Sequence, residues 1–367
     1  MTLADIFHRH GAEYLKRFGN HMLPSHKKAM RDIILCRSEY LGWHEWFCEH
    51  CQRIHYTYNP CKNRSCPQCQ NDKCDQWIIK QKDLLLPVEY FLVTFTIPQQ
   101  LRRFARSHQK KFYNILFQTS AHSLKTLAKD PRFLGGEIGM IGVLQTWTNT
   151  LEIHPHIHYI VPGIALSFDQ KRIMYSKEQF LMHVKPLSRL FRRFFKEALK
   201  KAGLLHLIPA QVWTQDWVVN SKSVGNGIPA IKYLARYMYR IALSNKNILS
   251  CKNGNVIFRY KDNDTKEQKK MILPVIEFIR RFLQHVLPKG FQKVRYFGFL
   301  HPKNKNTFNL AQLLLKAKCT LPENVKPEDY FFKCPVCGRP MVLIKRSDGK
   351  RAPPLNQLFK EFQYTNV

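Results

Sequence analysis

Three histidines occupy alternate positions of one apolar stretch, LEIHPHIHYIV (151–161). In an extended chain successive side chains point to opposite faces. His154, His156 and His158 therefore share one face, and Ile153, Pro155, Ile157, Tyr159 and Val161 share the other. Alternate strand residues lie about 6.5–7 Å apart, so His156 and His158 can reach one cation. His154 and His158 are about twice as far apart, which leaves His154 outside such a site unless Pro155 bends the strand. If GMIGVLQTW (139–147) pairs antiparallel with this stretch through a turn near 150, Gln145 falls opposite His156 on the same face. Two imidazoles and a carboxamide oxygen leave positions open for water and phosphate. That donor set suits Mg²⁺ or Mn²⁺ acting as a Lewis acid on a phosphate better than closed structural zinc. The plainer alternative is a row of hydrogen-bonded histidines or an incidental zinc site.

A second constellation supplies nucleophiles. In NSKSVGNGIPAIKYLARYMYRIAL (220–243) a flexible Gly-Asn-Gly leads to Pro229, well placed for the first turn of a helix. On that helix Tyr233, Arg236, Tyr237 and Arg240 fall on one face at i, i+3, i+4 and i+7, and Tyr239 lies off it. A phenol can attack a phosphate that guanidinium groups anchor, and Lys232 adds a further cation nearby. A phenol of ordinary pKa, about 10, is a poor nucleophile at neutral pH unless a metal or cation activates its target. The strand would provide that metal. Paired tyrosines at this spacing also serve as simple packing residues.

The cysteines point to structural metal. HEWFCEHCQRIHYTYNPCKNRSCPQCQNDKC (44–74) contains Cys48-x-x-Cys51 and Cys66-x-x-Cys69, with 14 residues between the knuckles. Two such knuckles complete one closed tetrahedral zinc site, here Cys48, Cys51, Cys66 and Cys69, with Cys61 as an alternative ligand. Cys36, His44, His50, His55 and Cys74 surround them and read individually as packed thiols or surface imidazoles. A third knuckle, Cys334-Pro-Val-Cys337, is half of a second zinc site. Cys319 or His301 could complete it, though the spacing demands neither.

Charge names the class of partner. The 367 residues carry 59 Lys and Arg against 26 Asp and Glu, a formal +33. Such an excess suits a polyanion, because each cation placed on a phosphate releases condensed counterions. Nucleic acid fits better than a membrane, since no apolar run approaches the roughly 18–20 residues that a spanning helix needs. The first residues, MTLADIFHRHGAEYLKRFGNHM, interrupt any signal-peptide core with acids and histidines, so a cytoplasmic protein is expected. In that reducing setting its 11 cysteines read as ligands or buried thiols rather than disulfides.

These groups need a scaffold. YFLVTFTIP (90–98) reads as a buried strand stopped by Pro98, and GMIGVLQTW and HPHIHYIV as two more. Residues 101–130 and 181–202 have apolar positions at helical spacing with basic opposite faces. Strands and helices alternate without βαβ regularity, which predicts an α+β fold with a mainly antiparallel sheet flanked by helices. The tail after about 345 reads as flexible.

Together, FCEHCQ…NPCKNRSCPQCQ, LPVEYFLVTFTIP, HPHIHYIV, IKYLARYMYR and EFIRRFLQHVLPKGFQKVRYFGFL resemble the HUH endonucleases. Among those, the chain is most similar to rolling-circle insertion-sequence transposases with an N-terminal zinc-binding domain, the IS-ninety-one family. The resemblance implies a zinc-binding helical domain over 1–85, an HUH catalytic domain over 86–300 and a basic C-terminal region over 301–367. It implies His156 and His158 as the metal pair, with Gln145 where many members have histidine: LQTW here, LHTW there. YLARY matches the paired-tyrosine motif, making Tyr233 and Tyr237 the nucleophiles. It further implies cleavage of single-stranded DNA through a 5′-phosphotyrosine during transposition, with oligomers at the element ends. The alternatives are an HUH replication initiator or relaxase, and a non-enzymatic zinc-dependent nucleic-acid-binding protein.

Overall fold

The computed structural model describes residues 1–69, 85–226, 229, 241–262, 264–316 and 332–364. Helix α1 (Leu3–Phe18) opens with a reciprocal cap: the Thr2 hydroxyl accepts from the Asp5 N–H, and the Asp5 carboxylate accepts from the Thr2 N–H. Helix α2 (Pro24–Ile34) begins at a proline, whose missing N–H costs nothing in a first turn. Strands β1 (Gly42–Cys48) and β2 (Arg53–Tyr58) then form a hairpin.

The middle of the chain builds the large sheet. Strand β3 (Glu89–Thr96) is followed by α3 (Leu101–Ser107) and α4 (Gln109–Ala128). The amphipathic run over 101–130 is therefore two helices, broken at His108, whose φ of −121° and ψ of 35° are not helical. Strands β4 (Met140–Trp147), β5 (Ile153–Pro162), β6 (Ile164–Leu166) and β7 (Ile173–Tyr175) precede α5 (Val184–Lys201). Next come β8 (Val219–Asn226), a meander of β9 (Ile248–Lys252), β10 (Asn255–Lys261) and β11 (Gln268–Pro274), and α6 (Val275–Leu283). Finally β12 (Val294–Phe297), α7 (Lys305–Leu314), β13 (Val342–Asp348) and α8 (Leu355–Tyr364) complete the described elements. No helix among the described residues is long and apolar enough to cross a membrane.

The central sheet has the order β12-β4-β5-β3-β8 and is antiparallel at every step, as the α+β reading expects. Strand β8 takes up the Gly-Asn that the sequence suggested was a flexible lead-in, and pairs it along β3. The two faces of the sheet differ, and that difference makes the site. On one, Phe91, Phe95, Ile157, Tyr159 and Leu144 pack on α4 and α5 through Phe112, Phe117, Phe191 and Phe195. The other is apolar at one end, where Tyr90, Leu92, Ile141 and Ile160 pack on Phe299 and Phe308. At its opposite end the same rows become Thr94, Thr96, Gln145, His156 and His158. The apolar end requires Gly298: its φ is +60°, and a Cβ there would stand 1.7 Å from the Ile138 carbonyl oxygen.

The C-terminal stretch is not a loose tail. Strand β13 pairs antiparallel with β1, giving a sheet of order β13-β1-β2. Leu355, Leu358 and Phe359 of α8 enter one core with Leu3, Phe7, Ala29 and Ile33 of α1 and α2. The Phe359 ring approaches α1 so closely that a Cβ on Gly11 would lie 2.3 Å from it. Its lysines and arginines suggest a solvated tail, but the apolar Leu355, Leu358 and Phe359 fall on one helix face.

Arg64 fastens the N-terminal part to the loop after α6, donating to the carbonyls of Leu287 (3.0 Å), Pro288 (2.7 Å) and Phe291 (2.5 Å). Arg64→Ala leaves three acceptors without their charged donor and is expected to cost about 2–3 kcal/mol. Arg64→Lys should recover only part of that, because an ammonium lacks the planar fork. Urea unfolding of the two variants beside the parent checks both.

Candidate active site and thiol clusters

The register of the sheet sets the site. Gln145 on β4 lies opposite His156 on β5, as antiparallel pairing through the turn near 150 requires, while Thr96 and Thr94 on β3 face His156 and His158. Next, hydrogen bonds fix the rings. His156 donates from Nδ1 to the His154 carbonyl at 2.6 Å, the tautomer that, in the neutral ring, turns the Nε2 lone pair outward. That nitrogen faces Gln145 Oε1 at 3.2 Å. With Nε2 protonated the contact is a hydrogen bond to the carboxamide oxygen; in the neutral ring it has the spacing of adjacent ligands on one cation with bonds of ~2.1 Å. The donor set therefore fits a shared divalent ion. His158 is buried, and its Nδ1 is 2.9 Å from the Thr94 hydroxyl, which holds its ring plane. The rings of His156 and His158 are 4.8 Å apart at 85°.

His154 is used differently. Arg102 donates to its Nδ1 at 2.8 Å, so that nitrogen is an acceptor on a neutral ring. Burial, with the neighbouring His156 and Arg102 in support, holds its pKa down to about 4. His154 thus holds Arg102 and accepts from His156 through its carbonyl. All these groups line a cleft of about 460 Å³, together with Trp147 and Asn149. None of the described residues lining it is acidic. A cation held there by neutral ligands would keep its full charge for an anionic substrate.

His285, at the end of the EFIRRFLQH segment, supports the site from below. Its Nε2 donates to the Leu151 carbonyl and its Nδ1 accepts from the Thr146 hydroxyl, both at 3.2 Å. The ring thereby pins the β4–β5 connection that sets the histidine register. Burial holds its pKa down to about 4 from an ordinary value of 6.5. Above pH 6.5 the ring is neutral in folded and unfolded chains alike. Below that, the unfolded chain takes up a proton that the folded one refuses, so stability falls as pH drops toward 4. The loss should reach about 2 kcal/mol at pH 5. Denaturant midpoints at pH 7.5 and 5.0 measure it, and His285→Asn should remove this residue's share of the slope.

The thiols gather differently from the single tetrad expected from the knuckles. Cys66 and Cys69 join Cys36 and Cys61, not Cys48 and Cys51. Cys48 and Cys51 join Cys334 and Cys337 instead; His301 does not belong to that cluster, and Cys319 lies outside the described residues. Within each group all four sulfurs lie within 4.8 Å of one another. Sulfur pairs such as Cys36–Cys69 (3.5 Å), Cys61–Cys69 (3.6 Å) and Cys48–Cys337 (3.6 Å) match the edge of a tetrahedron with ~2.3 Å Zn–S bonds. The correction has a topological cause. The turn carrying Cys48 and Cys51 is met by the segment leading into β13, while Cys66 and Cys69 lie against the end of α2, where Cys36 stands. Cys61 is a full member of the group with Cys36, Cys66 and Cys69 rather than an alternative.

Tyr233 and Tyr237, with Lys232, Arg236 and Arg240, lie outside the described residues.

An antiparallel sheet carrying a histidine cleft, and two four-thiol clusters that fit structural zinc, belong here to a strongly basic chain, and its relatives give the class: a transposase. A family model described as "Transposase zinc-binding domain" matches residues 6–97, and one described as "Putative transposase" matches 139–307. The chain is 36% identical to the "Putative transposase y4qJ" of Sinorhizobium fredii, over 96% of this chain and 97% of the relative. It is 26% identical to the "Transposase for insertion sequence element IS801" of Pseudomonas savastanoi pv. phaseolicola, over 88% and 84% respectively. No solved structure matches it. The chain belongs to the IS91 family of insertion-sequence transposases. As such it acts on DNA, the polyanion that its +33 charge calls for.

Proposed function

We propose that this transposase nicks and rejoins single-stranded DNA by tyrosine attack at the histidine cleft. The observation that carries the reading is the convergence of His156 Nε2 and Gln145 Oε1, 3.2 Å apart, beside His158 in one cleft. His156, His158 and Gln145 would hold Mg²⁺ or Mn²⁺, which when bound supplies Lewis-acid polarisation of a phosphate oxygen. The phenolate oxygen of Tyr233 or Tyr237 attacks the phosphorus, and the bond from phosphorus to the 3′ oxygen breaks. The leaving oxygen takes a proton to become a 3′-hydroxyl, and the 5′ phosphate stays on the tyrosine. Transfer to the second tyrosine or to a 3′-hydroxyl reverses that step without nucleotide energy. Arg236, Arg240 and Lys232 steady the phosphate, and Arg102 adds a fixed cation at the cleft wall. Single strands suit the cleft because an unpaired backbone can swing a phosphate into line while its bases stack on aromatic side chains.

The test is cleavage of labelled single-stranded and duplex oligonucleotides carrying element ends, with and without Mn²⁺. Metal-dependent cutting confined to the single strand is expected; cutting that survives exhaustive chelation would overturn the reading. Gln145 gives a graded check. Gln145→Ala should raise the Mn²⁺ concentration for half-maximal cleavage by about 10–100-fold, whereas Gln145→His, which restores a strong ligand, should not.

A further inference from the structure

The geometry points to a second zinc site, made of Cys48, Cys51, Cys334 and Cys337, that clips the C-terminal segment of the transposase to its N-terminal domain. The family's zinc-binding match ends at residue 97, so half of this ligand set lies outside it. Cys48 and Cys337 are 289 residues apart in sequence, yet their sulfurs are 3.6 Å apart.

Both knuckles are already folded as metal-binding turns. The Cys51 N–H donates to the Cys48 sulfur at 3.4 Å, a contact that stabilises a thiolate. Across the partner knuckle, Cys334 donates to the Arg339 carbonyl and Gly338 donates to the Cys334 carbonyl, both at 2.8 Å. Gly338 holds the turn at φ +74°. Among the described residues, the His50 and His55 rings and only a few apolar groups surround the four thiols. The cluster's core consists of Cys48, Cys334 and Met341, with Trp46 and Phe332 packed beside them, ring centres 5.3 Å apart. So few apolar groups cannot hold a knuckle closed by burial alone, whereas four thiolates on zinc can. The β1–β13 pairing aligns the two segments, and the metal locks that alignment. The zinc-binding part of the protein is consequently assembled from both ends of the chain and closes only after residue 337 has been made.

Native mass spectrometry of the full-length chain in reducing buffer tests this. Two zinc ions per chain are expected, falling to one in the Cys334→Ser/Cys337→Ser variant, with Cys36, Cys61, Cys66 and Cys69 keeping theirs. One zinc in the parent, two in the variant, or a mass deficit showing a disulfide among these four cysteines would overturn the proposal. Should the variant misfold and lose both ions, the parent decides the matter through thiol alkylation during a chelator titration. Cys48, Cys51, Cys334 and Cys337 should become reactive together as one zinc leaves. Alkylation of Cys334 and Cys337 while both ions remain bound would refute the clip.

Discussion

His156→Ala is expected to lower single-strand cleavage about a thousandfold while leaving DNA affinity within a few-fold of the parent. The affinity expectation follows from where the charge is: binding draws on many lysines and arginines distributed over a chain of net charge +33. The rate expectation follows from the ring's fixed tautomer. With Nδ1–H committed to the His154 carbonyl, Nε2 is the one nitrogen able to ligate, and alanine removes it. Loss of Lewis-acid stabilisation is worth several kcal/mol, and about 4 kcal/mol corresponds to a thousandfold. His158→Ala should cost as much rate and some stability as well, because His158 is buried where His156 is partly exposed. Single-turnover rates at saturating oligonucleotide, paired with binding measured in chelator, separate the two quantities. Equal losses in rate and affinity would assign His156 to DNA binding instead.

Cys36→Ser should be the most damaging substitution for stability. Structural zinc contributes an apparent binding free energy of about 10–16 kcal/mol, comparable to or larger than the whole stability of an ordinary domain. The thiols of Cys36, Cys66 and Cys69 also lie in the core that joins α1, α2, α6 and α8, so losing this ion exposes that core. Cys251 supplies the control: it is buried in the same core but belongs to neither thiol cluster. Cys251→Ser should cost about 1–2 kcal/mol, as expected for a small buried group made polar. Thermal melts with zinc content measured on each variant check the contrast. Similar melting temperatures for Cys36→Ser and Cys251→Ser would remove Cys36 from the metal site.

What could be read in advance follows the range of the interaction that fixes each feature. Alternation along β3, β4 and β5 is local, and so the histidine face and the Gln145–His156 pairing were legible from LQTW and HPHIHYIV. Thr94 was legible in principle from the same alternation, since it breaks the apolar run of YFLVTFT on the histidine side. Arg102 and His285 were not, because each meets the site from another element: α3 in one case, the end of α6 in the other. The thiols show the limit most clearly. Two CxxC knuckles 14 residues apart look like one site, and nothing local says that each takes partners elsewhere. Cys36 was a lone cysteine, and Cys334 and Cys337 half a site, until α2 and β13 brought them to their knuckles. A tail rich in lysine and arginine likewise hid the apolar face of α8.

Covalent attack by a tyrosine is tested by trapping the protein–DNA adduct. The transposase is incubated with Mn²⁺ and a single-stranded element-end oligonucleotide, digested, and sequenced by mass spectrometry. A nucleotide 5′-phosphate is expected on Tyr233 or Tyr237, absent from the Tyr233→Phe/Tyr237→Phe double variant. Cleavage that releases a free 5′-phosphate with no adduct, or an adduct persisting in the double variant, would contradict it.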